Sequence, residues 1–575
     1  MPNLAAQQLP LGNTALRRGL LSLGLGLGLG IACSESGDPS DGLAPADPPA
    51  LDGGLDLSVH GAYLTQATQR YDGSVPLVAG REAFLRVFAL ASQSNSVQPQ
   101  VRVRLYHGTA LVQTYTIAAP APSVPTGVDE SSLNNSWNVL VPAALVQPGL
   151  KLLADVDPAN NVAEPNESNN RFPGSGTAVN VDVRTLPTFA VRFVPVLQQV
   201  NGLQGYVTEG NQEGFLADLK KQLPVGAYAA DVRAPYTTSA PVLQNSNSND
   251  AWSTVLSELL ALRSADASSR YYYGVVKVSY GSGVAGMGYV GGSARTAVGW
   301  DYLPSGAHVM AHELGHTMGR THAPCGGPNE TDPSFPYPGG QIGTWGMDVP
   351  ALLLKAPTQL DVMSYCGPNW ISDYNWTAML SYRQADPNLP PVAAIGEGLL
   401  FWGRIRPTGV VLEPAFRVPA RSDLAPRPGA HRLELFAPDG SLLRSIGFAA
   451  SELGDLPGGP EQHFAFVLPL DSELETSLTA FRVVTRQGTR SATRRSLAAS
   501  DIDPAPLLSR PSPGQIEFRW DAVRFPMVLI RDASSGQVLS FARGGVTRLR
   551  SSSQDFELTF SDGVRTRALP VRLLR

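Results

Sequence analysis

Four of the eight histidines in this 575-residue chain fall within fifteen residues: His308, His312, His316 and His322. Three of them belong to the stretch His312-Glu313-Leu314-Gly315-His316-Thr317-Met318-Gly319-Arg320-Thr321-His322. On a helix, His312 and His316 lie about 40° apart, one turn from each other, so both imidazoles can hold one ion. Glu313, about 60 to 100° round the same helix, flanks that ion without binding it and can take a proton from a water activated there. Six residues beyond His316 a continuing helix would have turned about 240°. The chain must therefore break, and Gly319 can take the positive φ that swings His322 back. Three neutral nitrogens with one position left open suit a single catalytic zinc. The sequence offers no evident fourth ligand. His308 stacks one turn before His312, but Val309 follows it instead of an acid, so it is expected at the cleft edge and not on the metal.

Elements must hold this constellation in place. Met310, Leu314 and Met318 repeat every four residues on the face away from the histidines, so the helix should bury one side and present the other to a cleft. Gly315, costly in a helix, is expected to permit close packing there. Around this helix the pattern alternates: Phe189 to Val196 and Tyr271 to Tyr280 predict strands, Glu213 to Leu223 a helix, and Trp252 to Ala265 an amphipathic helix. Met287 to Trp300, broken by glycines, is expected at the sheet edge. This is an α/β unit around one mixed sheet.

The extended motif, followed by Asp361-Val362-Met363-Ser364-Tyr365-Cys366, resembles the metzincin clan of zinc metallopeptidases. The resemblance covers about residues 185–388. It implies that Met363 forms the floor beneath the metal site and that Tyr365 helps to stabilise the tetrahedral intermediate; a core aromatic with its hydroxyl satisfied elsewhere is the alternative for Tyr365. Because that fold brings the two turns together, it also implies a disulfide between Cys325 and Cys366, with a free or zinc-inhibiting thiol as the alternative. Residues 326–348 would form a long loop beside the cleft and residues 370–384 a closing helix.

The flanks are different in kind. Glycine (57) and proline (48) together exceed the usual share and favour turn-rich β architecture. A net charge of -5 excludes a strongly basic nucleic-acid surface. Residues 55–184 are strand-rich and carry the polar turn Ala154 to Asn170; with Pro76-Leu-Val-Ala-Gly80 they resemble the bacterial cell-adhesion-related (CARDB-like) immunoglobulin-like sandwich. Asp155, Asp157, Glu164 and Glu167 in that turn could bind calcium, but without regular loop spacing a solvated acidic turn is preferred. Residues 389–502 and 503–575 predict two further β-sandwich modules, whose sequences carry no identifiable chemistry.

The N-terminus reads as an address. An apolar run of 14 residues, Gly19 to Ala32, follows Arg17 and Arg18, suits a signal peptide and is too short to span a bilayer. Gly30-Ile31-Ala32-Cys33 resembles a lipoprotein lipobox, which implies lipid on Cys33; a plain secretory signal or an uncleaved apolar tail remain open. Residues 34–54 would be a flexible tether. With Cys33 lipidated, Cys325 and Cys366 are an even pair for an oxidising compartment. The expectation is therefore a multidomain, exported or envelope-anchored zinc endopeptidase acting on protein or peptide substrates. It should bind no nucleic acid and touch a membrane only through its lipid. The alternative is a surface lipoprotein adhesin with a degenerate peptidase core.

Overall fold

Alternation of apolar and polar residues builds the first module. Along strand Val101–His107, Val101, Val103 and Leu105 are buried while Arg102 and Arg104 are partly open, as a sheet covered on one face requires. The sheet of Leu57–Thr65, Ala83–Ala91 and Trp137–Val141 faces a second one, in which Val101–His107 pairs with Ala110–Ile117 and Leu150–Val156. Val59, Leu85, Val103, Trp137 and Leu152 fill the space between them. The computed structural model describes residues 54–385, 396–421, 424–456, 461–485, 491–496 and 504–573, so Cys33 and all of the tether but Gly54 lie outside the described residues. The described chain is β-rich and multi-sheet, with few helices, and no helix in it is long and apolar enough to cross a membrane.

The central sheet is mixed. Strands Tyr228–Val232, Phe189–Gln198, Tyr271–Val276 and Thr296–Trp300 run parallel in that order, and Gly286–Gly288 closes the edge antiparallel. The Gly-broken segment is thus split: Gly291 and Gly292, both at positive φ, turn the chain so that only its first half is at the edge and Thr296–Trp300 lies inside the sheet. Side chains alternate across it. Phe193, Tyr271 and Tyr273 face helices α1 (Gln212–Gln222) and α3 (Ser305–Thr317), while Val194, Val196 and Tyr272 face α2 (Ala251–Ala265). Helix α4 (Asp373–Ala385) joins the α3 side through Trp376, Met379 and Leu380.

Helix α2 is not amphipathic in its setting, because 14 of its 15 residues are buried. Its outer face is covered by the C-terminal sheets: Leu400, Trp402, Phe416, Met527, Leu529 and Phe541 belong to one core with Trp252, Leu256 and Leu259. These sheets are built on Gly396–Arg406 with Gln462–Pro469, on His431–Phe436 with Ala480–Val484, and on Met527–Asp532 with Asp555–Ser561. The first module is tied in as well. Strand Trp345–Asp348, at the end of the long loop after Cys325, pairs with Thr68–Gln69, and Trp376 Nε1 donates to the Pro76 carbonyl at 2.8 Å. Residues Gly54–Arg575 form one compact unit.

Candidate metal centre

Helix α3 carries His312 and His316 on one face, their Nε2 atoms 3.2 Å apart. It ends as the sequence requires. Gly319, at φ 82°, donates its amide to the His316 carbonyl (2.8 Å), and Arg320 donates to Gly315 (3.2 Å). That double bond pattern is a Schellman cap, and it turns the chain so that His322 comes back beside the other two. Beyond it, Ala323 N donates to the Met363 carbonyl at 2.9 Å and Tyr365 N to the Cys325 carbonyl at 3.1 Å. The Cys325–Cys366 disulfide, with Cα atoms 5.8 Å apart, locks the same two turns together.

Each histidine is oriented by a backbone carbonyl. The Nδ1 atoms of His312, His316 and His322 lie 2.7, 2.7 and 2.9 Å from the carbonyls of Val362, Arg320 and Asn329. Carbonyls only accept, so Nδ1 carries the proton and each Nε2 turns a lone pair inward. Met363 is fully buried beneath them. A methyl group on Gly315 would fall 2.4 Å from its sulfur, which is the close packing that the glycine permits. Asp361 shapes this turn, accepting from Met363 N at 2.7 Å, Ser372 N at 2.9 Å and Asn375 Nδ2 at 2.8 Å.

The fourth donor comes from a place the motif does not point to. Asp455, in the C-terminal β region, sets Oδ1 2.7 Å from His322 Nε2 and 3.4 Å from His312 Nε2, with Oδ2 3.0 Å from His316 Nε2. All four ligating atoms lie within 4.8 Å of one another, and this is the one such His/Cys/Asp/Glu group among the described residues. Donor separations near 3.3 Å are what a tetrahedral ion with bonds of about 2.0 to 2.1 Å requires. Three inward lone pairs and a carboxylate converge with no hydrogen-bond donor for Asp455 Oδ2, an arrangement that a cation stabilises.

Glu313 is buried beside this centre, with Oε2 lacking any hydrogen-bond partner. It lies against the edge strand, where Gly286 and Gly288 leave room for it: a methyl on Gly286 would come 2.5 Å from Oε1. Burial, then the neighbouring Asp455 charge, pushes its carboxyl well above the ordinary value. Tyr365 is half exposed, packs its ring 4.9 Å from that of His322, and donates its hydroxyl to Asp455 Oδ1. His308 is not among the four; its Nε2 meets Asn369 Nδ2 at 2.9 Å in the cleft wall, and burial lowers its pKa to about 4. A cavity of about 730 Å³ opens here, lined by His308, Val309, Glu313, Ser364, Tyr365 and Asn369 among others.

The acidic turn of the first module is structural. Asp155 is met by Arg102, Arg104 and Arg171 at 3.2, 2.7 and 3.3 Å. Asp157 accepts from Val162 N at 2.7 Å. Glu164 accepts from Leu57 N, and Asn170 Nδ2 bridges Glu164 and Glu167. Its carboxylates thus spend their oxygens on arginines and amides.

No family model and no curated protein matches this chain. Among solved structures it is similar to the CARDB domain of a Pyrococcus furiosus protein crystallised with two metal ions, at 18% identity over 24% of this chain and 100% of that one, TM-score 0.16. A chaperone–substrate complex matches at 12% identity over 43% of this chain and 39% of that one, TM-score 0.19. A Parabacteroides merdae β-glucuronidase matches at 8% identity over 90% and 77%, TM-score 0.14. At such TM-scores the site itself must carry the functional conclusion.

Proposed function

We propose that this protein is a zinc-dependent endopeptidase of metzincin type. The observation that carries the proposal is Glu313: a buried carboxylate whose Oε2 has no hydrogen-bond partner, next to three histidines whose Nε2 atoms converge. Zinc held by those nitrogens supplies Lewis-acid polarisation of a peptide carbonyl and acidifies water. Glu313 would take the proton from that water and hand it to the leaving amine. The Tyr365 hydroxyl, already within reach of the fourth position, donates to the oxygen on which negative charge develops. With residues 452–454 lifted from it, the edge strand Gly286–Gly288 would offer backbone groups to an extended peptide, and the cavity beside His308 and Asn369 would receive a side chain. The mixed sheet, the α3 helix, the Gly319 break and the turn at Met363 support the metzincin assignment.

Asp455 favours a second reading, a closed four-ligand structural site in a binding protein or adhesin. Glu313 speaks against it, since a structural site has no use for a buried carboxylate with an oxygen left unpartnered, which costs stability. The CARDB-like first module, export and lipid attachment at Cys33 complete the proposal, with protein or peptide substrates, no nucleic acid, and a membrane reached only through the lipid. The test is a peptide-library digest by the purified mature chain, wild type and Asp455→Ala, with and without a chelator. Cleavage of internal bonds that the chelator abolishes is expected; no cleavage by either protein when loaded with zinc would refute the proposal.

A further inference from the structure

The edge strand that closes the central sheet is not left open. Val290 N donates to the Glu452 carbonyl at 2.9 Å, Gly454 N donates to the Gly288 carbonyl at 2.8 Å, and Tyr289 pairs antiparallel with Leu453. Residues 452–454 therefore extend the sheet by one antiparallel strand, the way an extended peptide docks on an exposed edge. The segment is fitted to this place. Leu453 is buried in the core that α2 shares with the C-terminal sheets. Gly454 lies flat on the His316 ring, where a methyl group would come within 2.8 Å of the imidazole. Asp455 takes the left-handed conformation at φ 60°, and that turn aims its carboxylate at the three Nε2 atoms. Asn329 Nδ2 donates to the Leu456 carbonyl at 3.2 Å, and upstream Ser451–Glu452 is anchored on strand Gln462–Pro469.

We propose that Ser451–Leu456 is a built-in occupant of the peptide lane and that Asp455 is the metal's fourth ligand, so the folded chain holds its own cleft shut. The inference rests on the peptidase reading of the site. The segment covers only one half of the cleft: a space of about 70 Å³ remains beside it, bounded by Val290, His316 and Glu452 to Leu456, while the cavity of about 730 Å³ on the Tyr365 and His308 side stays open. A substrate can thus seat one end freely but must displace Glu452 to Asp455 to reach the metal. The observed affinity for substrate falls in proportion to the fraction of molecules in which the segment is lifted.

The experiment uses the full mature chain as wild type, Asp455→Ala, which deletes the ligand, and Leu453→Ala, which loosens the anchor and leaves every ligand in place. Three readouts are taken: kcat/KM on a fluorogenic peptide selected from the library, the visible spectrum with cobalt(II) in place of zinc, and hydrogen exchange at the Val290 and Gly454 amides. Both variants should raise kcat/KM at least tenfold and speed exchange at those two amides, and Asp455→Ala should change the cobalt spectrum. Equal turnover by all three proteins with an unchanged spectrum would overturn the inference while leaving the peptidase reading intact. No turnover by any metal-loaded protein would overturn that reading and the inference with it.

Discussion

Removing the Cys325–Cys366 bridge tests how the metal site is tied to the rest of the molecule. The bond closes a sequence separation of 41 residues, and in the chain-entropy model opening such a loop costs about 4 kcal/mol. How far this lowers Tm depends on what melts with the bridge. If the roughly 520 residues from Gly54 onward unfold together, an unfolding entropy of about 2.1 cal/mol/K per residue converts the loss into about 4 °C. If the α/β unit of roughly 200 residues unfolded by itself, the same loss would read as about 9 °C. The core that α2 shares with Trp402, Phe416 and Phe541 predicts the smaller shift within a single transition. Scanning calorimetry of Cys325→Ser/Cys366→Ser against wild type measures it. Metal affinity should fall in the same variant, because Ala323 N to Met363 O and Tyr365 N to Cys325 O would be the backbone links left between the two turns. A separate low-temperature transition shifted by about 9 °C would refute the shared-core argument, and unchanged metal affinity would refute the role given to the bridge.

Glu313→Gln should bind one metal ion with near-native affinity and lose at least about a hundredfold in peptide turnover, since an amide cannot accept the proton; near-native turnover by the metal-loaded variant would remove the general-base role. The wholly buried His463 sits between the Tyr289 hydroxyl at 2.7 Å and Glu461 at 2.8 Å, with Arg404 and Arg406 close to Glu461. Burial lowers its pKa to about 4, against the pull of Glu461. The folded state then binds fewer protons than the unfolded chain between about pH 6.5 and 4, so this contribution is complete above 6.5 and is lost as the pH falls towards 4. Between pH 7.5 and 5.5 His463 should contribute about 1 kcal/mol to the loss of stability, so in denaturant titrations His463→Gln should lose about that much less than wild type over the same interval; an equal loss in the variant would exclude the contribution.

The sequence made the centre of this site legible because the relevant physics is local. A four-residue spacing puts His312 and His316 on one helix face, and a glycine is the residue that can end that helix with a left-handed cap and return His322. With Cys33 set aside, two cysteines remain and point to each other by count. Asp455 was illegible for the opposite reason. It lies 133 residues beyond His322, in the segment Ser-Glu-Leu-Gly-Asp-Leu, which has no periodicity and no ligand spacing, and only the docking of a distant sheet brings it to the three histidines. The one hint was Gly454-Asp455, a pair able to make a tight turn, which occurs in any loop. Helix α2 misled for the same reason. Its sequence has enough polar residues to suggest a solvent face, but Glu258 is satisfied inside by Tyr236, Thr238 and Ser239, and the covering side chains come from residues 400–541.

Helix α2 also bears on the order of events as the chain is made. Synthesis proceeds from the N-terminus, and domains generally fold as they emerge, yet the outer face of α2 cannot be covered until Leu400 to Phe541 exist. A nascent chain ending at Ala385 would hold the complete three-histidine motif and the turn at Met363, with Leu260, which borders Leu424 and Phe464 to Phe466 in the folded chain, uncovered. The elements that finish this core are the same ones that carry Ser451 to Leu456. Completion of the core around α2 and delivery of Asp455 to the three histidines are therefore one step, so a newly made molecule passes through no stage at which it is fully folded and lacks the fourth donor.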